Sequence, residues 1–121
     1  MKKLLLLLFL GFSIVGFSQN TAIPDSNFEQ ALIDLGLDTA PINGSVPTAN
    51  ISAVTSLVVD NNNIADLTGI EDFIALTYLN CRSNQLTSLD FSNNTALTYL
   101  NCSSNQLTSL DVSNNTALTS L

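Results

Sequence analysis

The chain has no histidine and no tryptophan, and only three of its 121 residues are basic. Acid–base catalysis relies most often on histidine, and a zinc site needs about four ligands from histidine, cysteine or carboxylate side chains. Only two cysteines are present, and no serine or threonine has an evident base beside it. The sequence therefore predicts that the protein is not an enzyme, and we expect neither a metal nor a cofactor.

Positive charge is almost missing after the first residues. The formal net charge of −7 includes Lys2 and Lys3, and without them it falls to −9, with Arg82 as the only remaining basic side chain. A surface of this kind repels phosphate backbones and anionic lipids. The composition thus argues against nucleic-acid binding and against attachment to a membrane surface.

The amino terminus has the composition of an export signal. A basic start precedes an apolar run at residues 4–12, and small residues follow at Gly16 and Ser18. This order is typical of a secretory signal peptide, and the run is too short to span a bilayer comfortably. We predict a signal peptide over residues 1–18, cleaved after Ser18 or alternatively after Gln19. The mature protein would then be secreted or held at the outer cell surface, without membrane insertion.

The rest of the chain repeats itself every 21 residues. The positions Leu76, Leu79, Cys81, Asn84, Leu86 and Leu89 recur as Leu97, Leu100, Cys102, Asn105, Leu107 and Leu110. A looser copy lies upstream, so we divide the repeats into 54–75, 76–96 and 97–117, with a partial copy at 118–121. Such a period predicts a solenoid, because each unit must stack on a neighbour to bury its apolar face.

Two local features of each unit follow from its residues. The alternation of Leu79 and Cys81 with polar neighbours predicts a short strand with one buried face. Asn84, together with Asn62 and Asn105 at the equivalent positions, is predicted to satisfy backbone groups of a turn that faces the interior.

The pattern L-x-x-L-x-[CV]-x-x-N-x-[LI] resembles that of leucine-rich-repeat proteins. The resemblance runs from about Val54 to the end of the chain and implies a solenoid of the α/β class, made mostly of short parallel strands and turns. The second half of each unit, for example Leu107, Leu110 and Val112, also has a strand-like pattern. We therefore expect extended segments on both sides of each coil and no helix on the convex side, unlike longer repeats of the family.

The stretch 19–53 differs from the repeats and predicts a capping region with one helix. Its helical apolar stripe consists of Phe28, Ala31, Leu32 and Leu35. Ser26 and Glu29 fit a capping box, Asp25 is a rival N-cap, and Gly36 can end the helix. A solenoid end exposes core leucines, so this helix is expected to cover them.

The segment IPDSNFEQALIDLG in this stretch also resembles the start of exported repeat proteins from Bacteroidetes, which are similar to internalins in general plan. This resemblance implies a Gram-negative cell surface or medium, and a carboxy-terminal sorting domain beyond the present chain. Because the last copy stops partway through, we also expect the chain to be a fragment of a longer protein.

Cys81 and Cys102 are separated by one repeat length and should stack in adjacent coils. Coils about 4.8 Å apart come near the lower limit for a disulfide, but the two Cβ vectors should run parallel, which is poor geometry for the bond. We favour two buried free thiols over a disulfide.

Aspartate and threonine also recur in columns. Asp90 and Asp111 could be bridged by calcium, but we prefer solvated carboxylates that accept turn amides. The threonines Thr77, Thr98 and Thr119 form one column, and Thr87 and Thr108 form another. Threonine columns allow ice binding as a remote hypothesis, although threonine also simply favours strands.

The outward side chains of the strands form the candidate ligand-binding face. They are Ser56, Val58, Asp60, Tyr78, Asn80, Arg82, Tyr99, Asn101 and Ser103. Tyr78 and Tyr99 should lie side by side, either as contact surface for a partner or merely as a pair that stabilises the sheet. The predicted function is protein interaction or adhesion with a protein or cell-surface ligand, and the alternative is a spacer that binds nothing.

Overall fold

The computed structural model describes residues 19–121, so the predicted signal peptide lies outside the described residues. An antiparallel pair joins strands β1 (Asn20–Ala22) and β2 (Ser45–Pro47), and a parallel sheet joins β3 (Ser56–Val58), β4 (Tyr78–Asn80) and β5 (Tyr99–Asn101). The helices are α1 (Ser26–Asp34), α2 (Thr48–Ile51) and a 3₁₀ helix at Ile70–Asp72. Within this part of the chain, no helix is long and apolar enough to cross a membrane.

Asp25 is the N-cap of helix α1, and the expected glycine, Gly36, follows its C-cap. The Asp25 carboxylate accepts the backbone N–H groups of Asn27 and Phe28 at 2.9 and 3.2 Å. Gly36 has a positive φ of 79°, and its N–H donates to the carbonyl of Ile33. The predicted capping box of Ser26 and Glu29 is wrong, because Asp25 already satisfies the amides that open the helix.

Two further details of the N-terminal region differ from the prediction. The apolar stripe stops short of Leu35, which is 49% exposed because it forms the C-cap of α1. The region also contains β1, β2 and α2 in addition to the one helix that we predicted. These elements are only three or four residues long, too short for a periodic pattern to reveal them, and the pairing of β1 with β2 joins residues that are distant in sequence.

The three parallel strands lie in register, one per coil. Leu57, Leu79 and Leu100 occupy the same position in successive strands, and each is almost fully buried. Their polar neighbours face outward, as a period of two requires. The repeat length thus sets the register, because each coil returns the chain to the same point beside the strand before it.

The opposite side of each coil is not a strand, contrary to our expectation. Leu107, Leu110 and Val112 pack as half-buried residues against the core, but the chain around them runs through bends and turns. Asn115 holds one of these turns by donating to the carbonyls of Phe91 and Asn94, both in the preceding coil. On this side of the coils, the side-chain amide of Asn115 binds backbone carbonyls of the neighbouring coil, where a strand would use backbone N–H groups. No α-helix lies in the described repeats, although the first coil carries the 3₁₀ helix.

The N-terminal region and the first coil share one apolar core. The rings of Phe28 and Phe73 stack with centroids 6.3 Å apart, and both side chains are fully buried. Asp25, besides opening α1, accepts the N–H groups of Ala65 and Asp66 at 2.8 and 2.9 Å. A single carboxylate therefore ties the helix to the turn of the first coil.

At Gly69 the first coil lies close against the N-terminal region. Its φ is 109°, and a methyl group added there would meet the Ala22 carbonyl oxygen at 2.8 Å and would overlap Ile23. The first coil is one residue longer than the others at this point, and a glycine is required because only it tolerates both the backbone angle and the contact.

Candidate functional site

The strand face consists of the outward residues of β3, β4 and β5 and of the residue two positions after each strand. The register pairs Ser56 with Tyr78 and Tyr78 with Tyr99, and it pairs Val58 with Asn80 and Asn80 with Asn101. These outward residues therefore form rows across the coils, as predicted. Each row repeats at the spacing of neighbouring strands, about 4.8 Å.

The tyrosine pair forms a close, nearly parallel stack on this face. The rings of Tyr78 and Tyr99 stack with centroids 4.4 Å apart and an interplanar angle of 4°. Loss of hydration, then the charge and hydroxyl of Tyr99, and lastly the negative charge of Asp60 raise the pKa of Tyr78 above its ordinary value. The Tyr78 hydroxyl thus stays protonated at neutral pH and can donate a hydrogen bond to a ligand.

Asn80 and Asn101 form a row beside the tyrosines, and their side-chain oxygens accept hydrogen bonds from residues two positions later. The Oδ1 atom of Asn80 accepts the N–H of Arg82 at 3.2 Å. The Oδ1 atom of Asn101 accepts both the N–H and the hydroxyl of Ser103, at 3.1 and 2.7 Å. Among residues 19–121, neither amide nitrogen donates to another protein group, so the row offers hydrogen-bond donors to solvent or to a partner.

Val58 and Arg82 complete the character of the face. Val58 is 45% exposed and lies in the row of Asn80, while Arg82 is exposed and follows β4. Arg82 is the only basic side chain in the described part of the chain. The strand face therefore combines an aromatic pair, one exposed valine, amide donors and one positive charge.

A column of inner asparagines joins the coils beneath this face. The Oδ1 atom of Asn84 accepts the N–H groups of Asn62 and Ile64, both at 3.0 Å, and its amide donates to the carbonyls of Val59 and Cys81 at 2.9 and 3.0 Å. One side chain thus satisfies four backbone groups in two coils, which is the role that the sequence predicted for this position.

The other two asparagines of this column differ from each other. Asn105 accepts the N–H of Leu86 and donates to the carbonyl of Cys81, both at 3.0 Å, so it joins its own coil to the preceding one. Asn62 donates only within its own coil, to the carbonyl of Asp60 at 2.8 Å. It makes no such link because the N-terminal region, rather than another coil, precedes it.

A second column of asparagines on the opposite side of the coils was missed as a structural site. The amide of Asn94 donates to the carbonyls of Ile70 and Phe73 at 2.9 and 3.1 Å, and Asn115 makes the equivalent bonds one coil later. The signal was present in the sequence, since SNNTA occurs in both copies with the buried asparagine in the same place. The carbonyl oxygens of both side chains are buried without a hydrogen-bond partner.

Cys81 and Cys102 are free thiols in the structure. Cys81 is fully buried, whereas Cys102 is only half-buried, so the expectation of two buried thiols holds for the first alone. Burial, followed by the charge of Cys102, raises the pKa of the Cys81 thiol to about 12. Burial also raises the pKa of Cys102. At neutral pH neither thiol has appreciable thiolate character, which is the reactive form.

The aspartate column binds its own turns. The carboxylate of Asp90 accepts the hydroxyl and the N–H of Ser92 at 2.7 and 3.0 Å, and Asp111 accepts the N–H of Ser113 at 2.9 Å. The hydrogen bonds from the serine hydroxyl and then from the serine amide lower the pKa of each carboxyl. In residues 19–121, no group of three or more potential metal ligands comes together.

The column of Thr77, Thr98 and Thr119 links the coils through hydrogen bonds. The hydroxyl of Thr77 donates to the carbonyl of Thr55 at 3.1 Å, that of Thr98 to Thr77 at 3.0 Å, and that of Thr119 to Thr98 at 3.3 Å. Each hydroxyl therefore already has a protein partner in the coil before it. This arrangement weakens the ice-binding hypothesis, since that function needs hydroxyls directed at water.

Comparison with known proteins agrees with this architecture. Residues 74–115 match the model of a family described as leucine-rich repeats in two copies. Internalin J of Listeria monocytogenes serotype 4b (strain F2365) is 42% identical over 78 residues, which make up 64% of this chain and 8% of that protein. The chain therefore spans only a small part of this curated relative.

Solved structures give the same result. A functional domain of InlJ from Listeria monocytogenes, which includes a cysteine ladder, matches with a TM-score of 0.75 and 40% identity, covering 85% of this chain and 23% of that one. The internalin InlF from Listeria monocytogenes strain 4b F2365 matches with a TM-score of 0.73 and 31% identity, covering 83% and 30%. A Bacteroidetes origin stays a prediction, because these relatives come from Listeria. The repeats of this chain are those of an internalin-like leucine-rich-repeat protein.

Proposed function

We propose that this chain is part of an exported, non-catalytic interaction module that binds a protein or another cell-surface ligand through its strand face. The observation that carries the proposal is the stacked pair of Tyr78 and Tyr99, with free amide donors beside it and an exposed valine in the next row. Rigid aromatic side chains with a polar tip supply contact area at little cost in conformational entropy. Rows at a fixed spacing let many weak contacts act together.

The N-terminal region is proposed to cap the solenoid. Its helix α1 covers the first coil with Phe28 and fixes the turn of that coil through Asp25. The likeness to the InlJ domain covers 85% of this chain, which is more than residues 54–121 alone could supply. A cap is needed there because a bare coil would expose its core leucines to water.

Export through the signal peptide at residues 1–18 is part of the same proposal. Its support is the basic start, the apolar run and the small residues that precede Gln19. Expression of the full chain with an export-competent host, followed by mass analysis of the exported product, tests it. A product that begins at Gln19 or Asn20 is expected, and retention of the intact leader inside the cell would refute export.

A non-binding spacer is the second candidate, and one observation favours it. Tyr78 and Tyr99 are half-buried against each other, so part of their value is the stabilisation of neighbouring strands. In a spacer, the outward rows would tolerate substitution as long as the stacking of the coils was preserved.

Binding is tested by comparing two double variants on an array of immobilised cell-surface proteins and glycans. Tyr78→Ala with Tyr99→Ala should abolish any response of the wild-type chain while the circular dichroism spectrum stays that of a folded protein. Thr87→Ala with Thr108→Ala serves as the matched control, because these exposed threonines lie in the same two coils but outside the strand face. Equal responses from all three proteins, or no response from the wild type, would favour the spacer.

A further inference from the structure

Glu29 is a buried carboxylate whose role the proposed function leaves unexplained. Its side chain is fully buried, although no basic group lies near it in the described part of the chain. Its two oxygens instead accept the backbone N–H groups of Asn43 and Gly44, at 2.8 and 2.7 Å. Hydrogen bonds to a charged acceptor are strong, and here they are directed at one particular dipeptide.

That dipeptide is the only Asn–Gly sequence in the chain. Asparagine followed by glycine is chemically labile, since glycine has no side chain to hinder attack by its own backbone nitrogen on the preceding amide. Both Asn43 and Gly44 are exposed to water, and Gly44 has a φ of 86°. The segment therefore has the composition and the exposure that favour deamidation.

The geometry points to Asn43 as a site of succinimide formation that Glu29 keeps unreactive in the folded chain. In the reaction, the Gly44 nitrogen forms a bond to Cγ of Asn43, the bond from Cγ to Nδ2 breaks, and ammonia leaves with the proton of the Gly44 amide. Water then opens the ring to give aspartate or isoaspartate. No oxidant or other co-reactant is needed.

Two contacts oppose the first step. The Gly44 nitrogen must lose its proton before it attacks, and a hydrogen bond from that N–H to a carboxylate disfavours the loss. The Oδ1 atom of Asn43 is held by the N–H of Ser45 at 3.0 Å and by its hydroxyl at 3.3 Å, so the side chain is not free to rotate toward the attacking nitrogen. Only the contact with Glu29 depends on α1 and is lost when the helix separates from the turn, whereas the contacts with Ser45 lie within the turn itself.

The modification would act on the pairing of β1 with β2. The carbonyl of Gly44 accepts the N–H of Ile23 at 2.8 Å, and Ser45 pairs with Ala22. Isoaspartate adds one methylene group to the main chain just before these contacts, which shifts their register. Deamidation would thus loosen the antiparallel pair that lies against the first coil.

The test compares the rate of deamidation at Asn43 in folded and urea-unfolded wild-type protein, in mildly alkaline buffer, by peptide mapping and isoaspartate assay. The folded chain should react at least about tenfold more slowly, because a hydrogen bond to a charged group is worth a factor of about ten or more. Equal rates in the two states would overturn the proposal.

A variant then separates the effect of Glu29 from global unfolding. Glu29→Gln keeps the shape of the side chain but replaces one acceptor by a donor, so one of the two amides loses its partner. The control is Ile64→Val, a change in the core of the first coil that leaves the turn intact. Glu29→Gln should deamidate several-fold faster than the control at matched stability, and a rate no higher than that of the control would overturn the proposal.

If Glu29→Gln does not fold, amide hydrogen exchange of the wild-type chain tests whether Glu29 protects the Gly44 amide. The exposed Gly44 amide should exchange slowly because Glu29 holds it. Exchange at the rate of an unprotected amide would show that the clamp does not persist in solution and would contradict the proposal.

Discussion

The N-terminal region and the repeats are held together in different ways. In the repeats one set of contacts recurs: an asparagine side chain donates to a carbonyl of the preceding coil, a threonine hydroxyl does the same, and a leucine fills the core. In the N-terminal region each contact occurs once, as with the double use of Asp25, the clamp by Glu29 and the stacking of Phe28. The loss of one contact in a repeat removes one of several equivalent links, whereas a loss in the N-terminal region has no substitute.

The largest effect is expected for Phe28→Ala. Removing this fully buried ring opens a cavity between the two regions and should lower the free energy of unfolding by about 3–5 kcal/mol, measured by urea denaturation. Leu107→Ala in the last coil is the control, because its side chain is only half-buried and should cost less. Equal losses at the two sites would mean that the N-terminal region is no more sensitive than the repeats.

Asn84→Ala comes next and concerns the repeats. It leaves the buried N–H groups of two residues and two carbonyls without their partner, so we expect a loss of about 2–4 kcal/mol in the free energy of unfolding. The matched change Asn62→Ala removes one hydrogen bond within a coil and should cost about 0.5–1.5 kcal/mol. Thermal denaturation of both variants checks the difference, and similar melting temperatures would contradict the structural distinction between the two asparagines.

Asp25→Ala should have a smaller but still measurable effect. It removes the N-cap of α1, which is typically worth about 0.5–2 kcal/mol, and it also releases two amides in the turn of the first coil. Hydrogen exchange should accelerate at Ala65 and Asp66 as well as in α1. Asp34→Ala, an exposed carboxylate near the other end of the same helix, is the control. Faster exchange in α1 alone would mean that the link to the first coil is not significant.

The smallest effect is expected for the replacement of Cys81 or Cys102 by serine, at equivalent positions of two neighbouring repeats. Cys81 is fully buried with a pKa of about 12, so it stays protonated at neutral pH and forms thiolate only when the pH approaches that value. The half-buried Cys102 should react first with a disulfide reagent under native conditions. The variant Cys102→Ser, which retains only Cys81, is therefore expected to react much more slowly than Cys81→Ser. Equal rates in the two variants would contradict the difference in burial between Cys81 and Cys102.

The two regions also differ in how far the sequence predicts them. The 21-residue period, the alternation at Leu79 and Cys81 and the asparagine at position 84 were sufficient to predict the parallel register, the buried leucines and the stacked tyrosines. The prediction failed on the other side of the coil, where strand-like alternation proved to be a series of turns bonded by Asn94 and Asn115. A period of two residues does not distinguish these cases, since it says which side chains are buried but not where the backbone hydrogen bonds go.

In the N-terminal region, the helix and its glycine end were predicted, but the function of its acidic residues was not. Glu29 fits a capping box in sequence, yet its carboxylate bonds an exposed turn fourteen residues away. Asp25 was considered only as a cap, and its bonds to the first coil were not foreseen. Both errors have the same origin, because a carboxylate accepts hydrogen bonds from whichever amides the tertiary structure brings to it.

The sequence by itself determined the architecture of the repeats, since a unit that recurs unchanged meets the same neighbour each time, and one local pattern then specifies every contact. It also determined which residues face outward, through the two-residue period of a strand. Only the tertiary structure decided how the N-terminal region sits on the first coil, why Gly69 must be glycine, and which amides Asp25 and Glu29 bind. Those contacts join residues that are distant in sequence. Each contact occurs only once, so no periodic pattern in the sequence predicts it.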